Sequence, residues 1–114
     1  MWPMPICEFG DTVVVPFPFT DIPVSKRRPA VVLSSAHFNR ASGQSILAMI
    51  TTAANSSWDD DIMLSDLDIA GIPHPSVVRF KLFTLPNELL LRRLGNICAP
   101  DKAKLRAGIA RIMS

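Results

Sequence analysis

The sequence predicts a mainly β domain of several short strands with a single helix at its C-terminus, and three observations predict it. Branched or alternating apolar runs recur at 12–15, 30–34, 45–50 and 76–83, each short enough for a strand. Turn residues, chiefly proline and glycine, punctuate the intervals between them. Only the last stretch, 100–112, repeats its apolar residues at a helical interval.

In chain order, Phe9-Gly10-Asp11 leads into Thr12-Val13-Val14-Val15, a β-branched run that suits a pleated strand. Pro16, Pro18 and Pro23 cannot donate to a ladder, so 16–23 reads as a strand end and a stiff loop. Phe17 and Phe19 read as packing residues, stacking on a base being the other use of such rings. Then comes the stretch around which the chain is organised, Lys26-Arg27-Arg28-Pro29-Ala30-Val31-Val32-Leu33-Ser34. Pro29 fixes its own φ and pushes Arg28 toward extended geometry. A second strand is expected over about 30–34, with Arg28 at its mouth.

His37 to Gly43 reads as a turn region, with Gly43 able to take a positive φ. Residues 45–50 read as a third strand that ends at Thr51-Thr52. Residues 55–61 make an exposed acidic loop, interrupted by Trp58, which either anchors the loop or faces a partner. A short strand is expected at Ile62-Met63-Leu64, and a brief helical turn at 65–71, capped by Ser65 and stopped by Gly71. Pro73-His74-Pro75 forces a turn before 76–83, where Val78, Phe80 and Leu82 alternate with Val77, Arg79 and Lys81. Leu85-Pro86-Asn87 is a further turn. Residues 88–97 stay open, because Leu89-Leu90-Leu91 suits a helix whereas Gly95-Asn96 suits a strand and bend. In the final helix, Pro100 suits a first position and Asp101 the positive dipole end, while Leu105, Gly108, Ile109 and Ile112 form a stripe for the sheet.

The 114 residues fit one domain, 1–114, and 48% apolar content excludes global disorder. No apolar run is long enough to span a bilayer. The start of the chain lacks the pattern of a secretory signal, so a cytoplasmic protein is expected. Cys7 and Cys98 could pair only in an oxidising compartment. The net charge is only +2, but it is segregated. From Ile22 to Trp58 there is no acid, and Lys26, Arg27, Arg28 and Arg40 all fall there; Asp59 to Val78 carries five aspartates and no Lys or Arg. One side of such a surface attracts a polyanion.

Most catalytic constellations are missing. His37 and His74 are far apart, and Cys7 and Cys98 have no companion at ligand spacing, so no metal centre is expected. There is neither a Gly-rich phosphate loop nor a nucleophile elbow. Asp59-Asp60-Asp61 reads as a solvated loop, since three consecutive carboxylates do not converge easily on one hard cation. His74, between two prolines, reads as a turn residue; His37, near the basic stretch, is an acid or base candidate. What survives is a guanidinium at one strand entrance and a hydroxyl pair at another strand's end. Arg28 suits a phosphate or a structural ion pair. Thr51 or Thr52 suits a nonbridging phosphate oxygen or a strand terminus. RNA brings its own nucleophile, the 2′-hydroxyl, so orientation and charge stabilisation suffice and no cofactor is required.

The segments FGDTVVVPFPFTD, KRRPAVVLSSAHFN, ILAMITTAANS and SVVRFKLFTL, in that order, resemble the MazF/PemK family of toxins from bacterial toxin–antitoxin pairs. The resemblance runs from about Phe9 through the C-terminal helix. It implies an SH3-like small barrel or strongly curved antiparallel sheet with a C-terminal helix, assembled as a homodimer and neutralised by a cognate antitoxin. It further implies metal-independent cleavage of single-stranded RNA through a 2′,3′-cyclic phosphate. The family's catalytic arginine matches Arg28, its catalytic threonine matches Thr51, and an arginine of the PemK-like branch matches Arg79. Lys26, Arg27, Ser34, Arg79 and Lys81 are expected to contact RNA. Two positions depart from the pattern: Lys81 stands where that branch has an aspartate, and Pro16 where an acidic residue is usual. The general base is open among Glu8, Asp11, Asp21 and His37. The acid-free interval 22–58 would suit an acidic antitoxin tail. Two alternatives are a noncatalytic toxin that grips a protein target, as gyrase-poisoning toxins of related fold do, and a barrel that binds RNA without cutting it.

Overall fold

The computed structural model describes residues 5–16, 26–54 and 57–113. Six strands form one sheet in the order β4-β5-β3-β2-β1-β6, with every neighbouring pair antiparallel. They are β1 (Asp11–Pro16), β2 (Arg27–Val32), β3 (Gln44–Thr52), β4 (Ile62–Met63), β5 (Ser76–Pro86) and β6 (Arg92–Asn96). The sheet curls into a half-barrel, joined by α1 (Ala36–Ser42), α2 (Leu67–Ala70) and the long C-terminal α3 (Ala99–Met113). The mainly β architecture with a terminal helix is the one the apolar runs predict.

Alternation along the strands builds two apolar clusters, one on each face. Val31, Ala48, Ile50 and Val78 pack with Ile97 and with Leu105 of α3. Val13, Val15, Ala30, Val32, Leu47 and Phe83 form the other cluster, closed by Cys7 and Leu90. Burial, reinforced by the Asp11 carboxylate, pushes the Cys7 thiol up to about 11. Cys7 and Cys98 are both free. In α3 the tight contact is Gly108 against the Phe80 ring, where an added Cβ would lie 2.6 Å from a ring carbon. No helix among the described residues is long and apolar enough to cross a membrane.

Several local expectations are revised. The second strand begins at Arg27, not near Ala30, because the backbone of 27–29 pairs with β1 (Val14↔Pro29, Val15↔Arg28, Pro16↔Arg27). The side chains of Arg27 and Arg28 are exposed, so no apolar pattern marks that pairing. The turn region after it is α1: Ser35 accepts from the Phe38 N–H at 3.1 Å, and Gly43 ends the helix at φ 73°. Residues 85 and 86 continue β5, and 88–97 resolves into a 3-10 turn at Asn87–Leu89 followed by β6. Opposite β3, β5 carries a bulge: Ala48 faces Leu82 and Met49 faces Arg79, so the register skips two residues of β5.

The cap of α2 is Asp66, which accepts from the Ile69 N–H at 3.2 Å. Ser65 serves α3 instead, donating its N–H and hydroxyl to the two carboxylate oxygens of Asp101 at 2.9 and 2.7 Å. Asp101 is therefore fully buried rather than at an open helix end. Its burial opposes ionisation, but hydrogen bonds from Ser65 and Cys98 outweigh that and hold its pKa below the usual aspartate value.

Candidate functional site

The site opens where β2 and β3 part. Leu33 donates its N–H to the Ile46 carbonyl of β3 at 2.8 Å. In an antiparallel ladder the residues that point at one neighbour alternate, so positions 31 and 29 also point at β3. Position 29 is Pro29, which has no N–H to give. The paired register accordingly ends at Ala30↔Met49. Beyond it β2 runs with β1 and β3 runs with β5. Continuing the β2–β3 register two residues past its end brings Arg28 opposite Thr51, on the sheet face shared with Ala30 and Leu47.

A groove of about 540 Å³ occupies this opening. Its polar lining includes Arg27 and Arg28 from β2, Thr51 and Thr52 from β3, His74 from the turn before β5, and Arg92 from β6. Val14, Ile50, Ile72 and Leu94 supply apolar wall. Among the described residues, three arginines line the groove and no Asp or Glu does. Against apolar walls, an anion there meets an effective dielectric below that of water, which strengthens its attraction to the arginines. Planar guanidiniums match phosphate oxygens two at a time.

Gly71 shapes one rim. It takes φ 69°, and a Cβ there would strike the backbone carbonyl of Leu94. Gly95 of β6 is equally pressed against the Ile69 carbonyl. These two close approaches seat α2 on β6 and place the following Ile72-Pro73-His74 segment along the groove.

The residues singled out from the sequence fall into three groups. Arg27, Arg28 and Thr51 line the groove together, and Lys26 is exposed immediately before β2. Ser34, expected at the RNA, is taken up by the fold. It is buried, its hydroxyl donates to Asn39 Oδ1 and accepts from the Ile46 N–H, and Asn39 in turn donates to the Cys7 carbonyl. Arg79 also lies outside the groove lining. It is 7% exposed and forms a two-pronged ion pair with Asp61, Nε to Oδ1 at 3.1 Å and a terminal nitrogen to Oδ2 at 2.8 Å. Its guanidinium carbon sits 5.1 Å from the Trp58 ring centroid, and the Trp58 backbone N–H donates to Asp61 Oδ2. The acidic loop that looked merely solvated is thus latched to the sheet at Asp61. Lys81 is half-buried at the bulge and does not line the groove.

Of the candidate bases, Glu8 and His37 are exposed away from the groove lining. Asp11 is buried between Arg93, 3.0 Å away, and Asn96, which donates to it at 2.9 Å. Asp21, Phe17 and Phe19 lie outside the described residues. Sequence reasoning missed Arg92 and His74 as groove residues. Arg92 fell in the stretch left open between helix and strand, and His74 between two turn-forming prolines. Among the described residues, no group of three or more His, Cys, Asp or Glu side chains could hold a metal ion.

Residues 8–113 match the family of PemK-like, MazF-like toxins of type II toxin–antitoxin systems. No curated protein matches the chain in sequence. Among solved structures, the chain is similar to a MazE–MazF crystal structure (Form III) from Deinococcus radiodurans, with TM-score 0.76 and 21% identity over 95% of this chain and 96% of that one. It is similar to an endoribonuclease in complex with its cognate antitoxin from a mycobacterial species, with TM-score 0.74 and 15% identity over 96% and 95%. The Mycobacterium tuberculosis toxin MazF-mt6 superposes with TM-score 0.72 and 20% identity over 90% and 95%. At such identities these likenesses are of fold.

Proposed function

This chain belongs to the PemK-like, MazF-like toxin family of type II toxin–antitoxin systems, and from that premise we propose that it is a metal-independent endoribonuclease that cleaves single-stranded RNA through a 2′,3′-cyclic phosphate. One observation carries the reading: Arg27, Arg28, Arg92 and Thr51 line one groove at the parting of two strands, and its described lining holds no carboxylate. In this mechanism the RNA 2′-hydroxyl attacks the adjacent phosphorus. Arg28 stabilises the charge that builds on the phosphorane and the departing 5′-oxygen. Thr51 donates to a nonbridging oxygen. Arg27 and Arg92 hold flanking phosphates, and Lys26 extends that cationic line. Guanidiniums fixed where charge develops contribute several kcal/mol without a metal ion. The toxin acts in the cytoplasm as a homodimer, and a cognate antitoxin silences it by laying an acidic segment into the same arginine-lined groove.

The test is to incubate the purified protein with a mixed RNA in excess EDTA and to map the ends. Fragments with 5′-hydroxyl and 2′,3′-cyclic phosphate ends are expected, and Arg28→Ala should abolish most of them. RNA that is bound but left whole would make the protein a binding module. RNA that is neither bound nor cut would point to a protein target instead.

A further inference from the structure

Transfer to a 2′-hydroxyl nucleophile needs a group that accepts its proton, and the proposed mechanism names none. Guanidiniums and aliphatic hydroxyls do not accept a proton near neutral pH. Among the described residues that line the groove there is no Asp, Glu, Lys, Cys or Tyr, but there is one histidine, His74. The imidazole is exposed, and its backbone is held between Pro73 and Pro75, with the Ser76 hydroxyl donating to the His74 carbonyl at 2.8 Å. Two prolines fix φ on either side, so the ring is carried on a stiff segment rather than a mobile loop.

Resting on the endoribonuclease reading, we propose that His74 is the general base: its neutral imidazole takes the 2′-hydroxyl proton as that oxygen bonds to phosphorus. The P–O5′ bond breaks with its electron pair on O5′, which water protonates, so the step balances with no further reactant. In-line displacement sets the entering and leaving oxygens on opposite sides of phosphorus, so one imidazole serves only one of them. The leaving oxygen is the one the arginines stabilise by charge; the entering hydroxyl is the one they cannot help. Among the described residues, the charged groups sharing the groove with His74 are Arg27 and Arg28 from β2 and Arg92 from β6, while the polar groups of β3 there are the neutral Thr51 and Thr52.

The experiment uses an RNA oligonucleotide spanning a site the wild type cuts, with His74→Gln and His74→Ala. Cleavage should fall about 100- to 1,000-fold, the range for loss of a general base. Binding of the same oligonucleotide with a 2′-deoxy sugar at the cut should stay within about twofold, and added imidazole should partly restore His74→Ala. The wild-type rate should fall on the acid side of its pH profile, and the variants should lose that limb. A sulfur in place of the bridging 5′-oxygen should leave the deficit intact, because such a leaving group needs no proton. Recovery with that substrate would make His74 an acid and overturn the assignment. So would variants that cut at the wild-type rate with an unchanged profile. A wild type that leaves all RNA whole overturns the nuclease reading itself, a result distinct from either of these.

Discussion

Arg28 and Thr51 line one groove, each two residues beyond the last paired position of β2 and β3, and Pro29 is the reason the ladder stops short of them. Each is still held by its other neighbour, Arg28 by Val15 of β1 and Thr51 by Val77 of β5. A guanidinium and a hydroxyl are thereby fixed on rigid backbone on either side of an unzipped seam. That is the arrangement electrostatic preorganisation requires.

Arg28→Ala should fold normally, because its side chain is exposed and lies outside both apolar clusters. RNA cleavage should drop by about 100-fold or more. Thr51→Ala should lower the rate by roughly 10-fold or more, the cost of one hydrogen bond to a charged group. Thr52→Ala should do less, since position 52 falls on the opposite sheet face. The reverse order of the two threonine effects, read from initial cleavage rates, would place the reacting phosphate on that other face.

Pro29→Ala restores an N–H aimed at β3. The ladder should then extend by one bond toward Ile50, drawing the strands together and narrowing the groove. Cleavage is expected to fall while thermal stability holds or rises by about 1 kcal/mol, the net value of one hydrogen bond. Slower amide exchange along 29–31 and 48–50 would report the closure directly. A variant with unchanged exchange and reduced activity would show that proline acts by stiffness alone.

Arg79 and Asp61 are both nearly buried, with side chains 8% and 9% exposed, so losing one partner strands the other. Arg79→Ala should cost about 3 kcal/mol, which lowers the melting temperature by about 10–15 °C in a chain of this size. Trp58 fluorescence should change at the same time, because the guanidinium beside its ring is gone.

The same pair sets a pH dependence. The hydrogen bond from Arg79 holds the Asp61 carboxyl below its ordinary value of 3.8. A depressed folded-state pKa means the unfolded chain binds the proton first as pH falls. The pair's stabilisation is therefore complete above about pH 5 and is lost as pH drops through 3.8 and below. Asp61→Asn should be less stable at pH 7 and should lose less stability between about pH 5 and pH 2, measured by urea melts. An identical acid slope in both proteins would assign acid sensitivity to another carboxylate, such as Asp101.

Gly71→Ala combines a left-handed φ with a collision against the Leu94 carbonyl. It should cost about 2 kcal/mol or more. Since Gly71 precedes the Ile72-Pro73-His74 wall of the groove, cleavage should fall even where the variant remains folded. Gly43→Ala is the control, with a similar φ of 73° but open space around it and no place in the groove. It should lose stability and retain activity.

Much of this protein is legible from its residues in order. The branched apolar runs at 12–15 and 30–33 determined strands, and the alternation of Val78, Phe80 and Leu82 determined a face as well, because a pleat alternates side chains whatever it pairs with. The helical spacing of Leu105, Gly108 and Ile112 determined α3 for the same local reason. Pro29 after two arginines marked an extended, charged strand entrance. The tertiary structure alone decided which charges stay in solvent. Arg79 looks from its alternation like a polar-face cation, but a loop eighteen residues away supplies Asp61 and closes over it. Ser34 looks like a strand-end hydroxyl until Asn39 folds back on it. His74 and Arg92 reach the groove of Arg28 and Thr51 only because Gly71 and Gly95 permit α2 and β6 to touch. Such contacts depend on how separate elements pack, and no local propensity carries information about a partner supplied by another element.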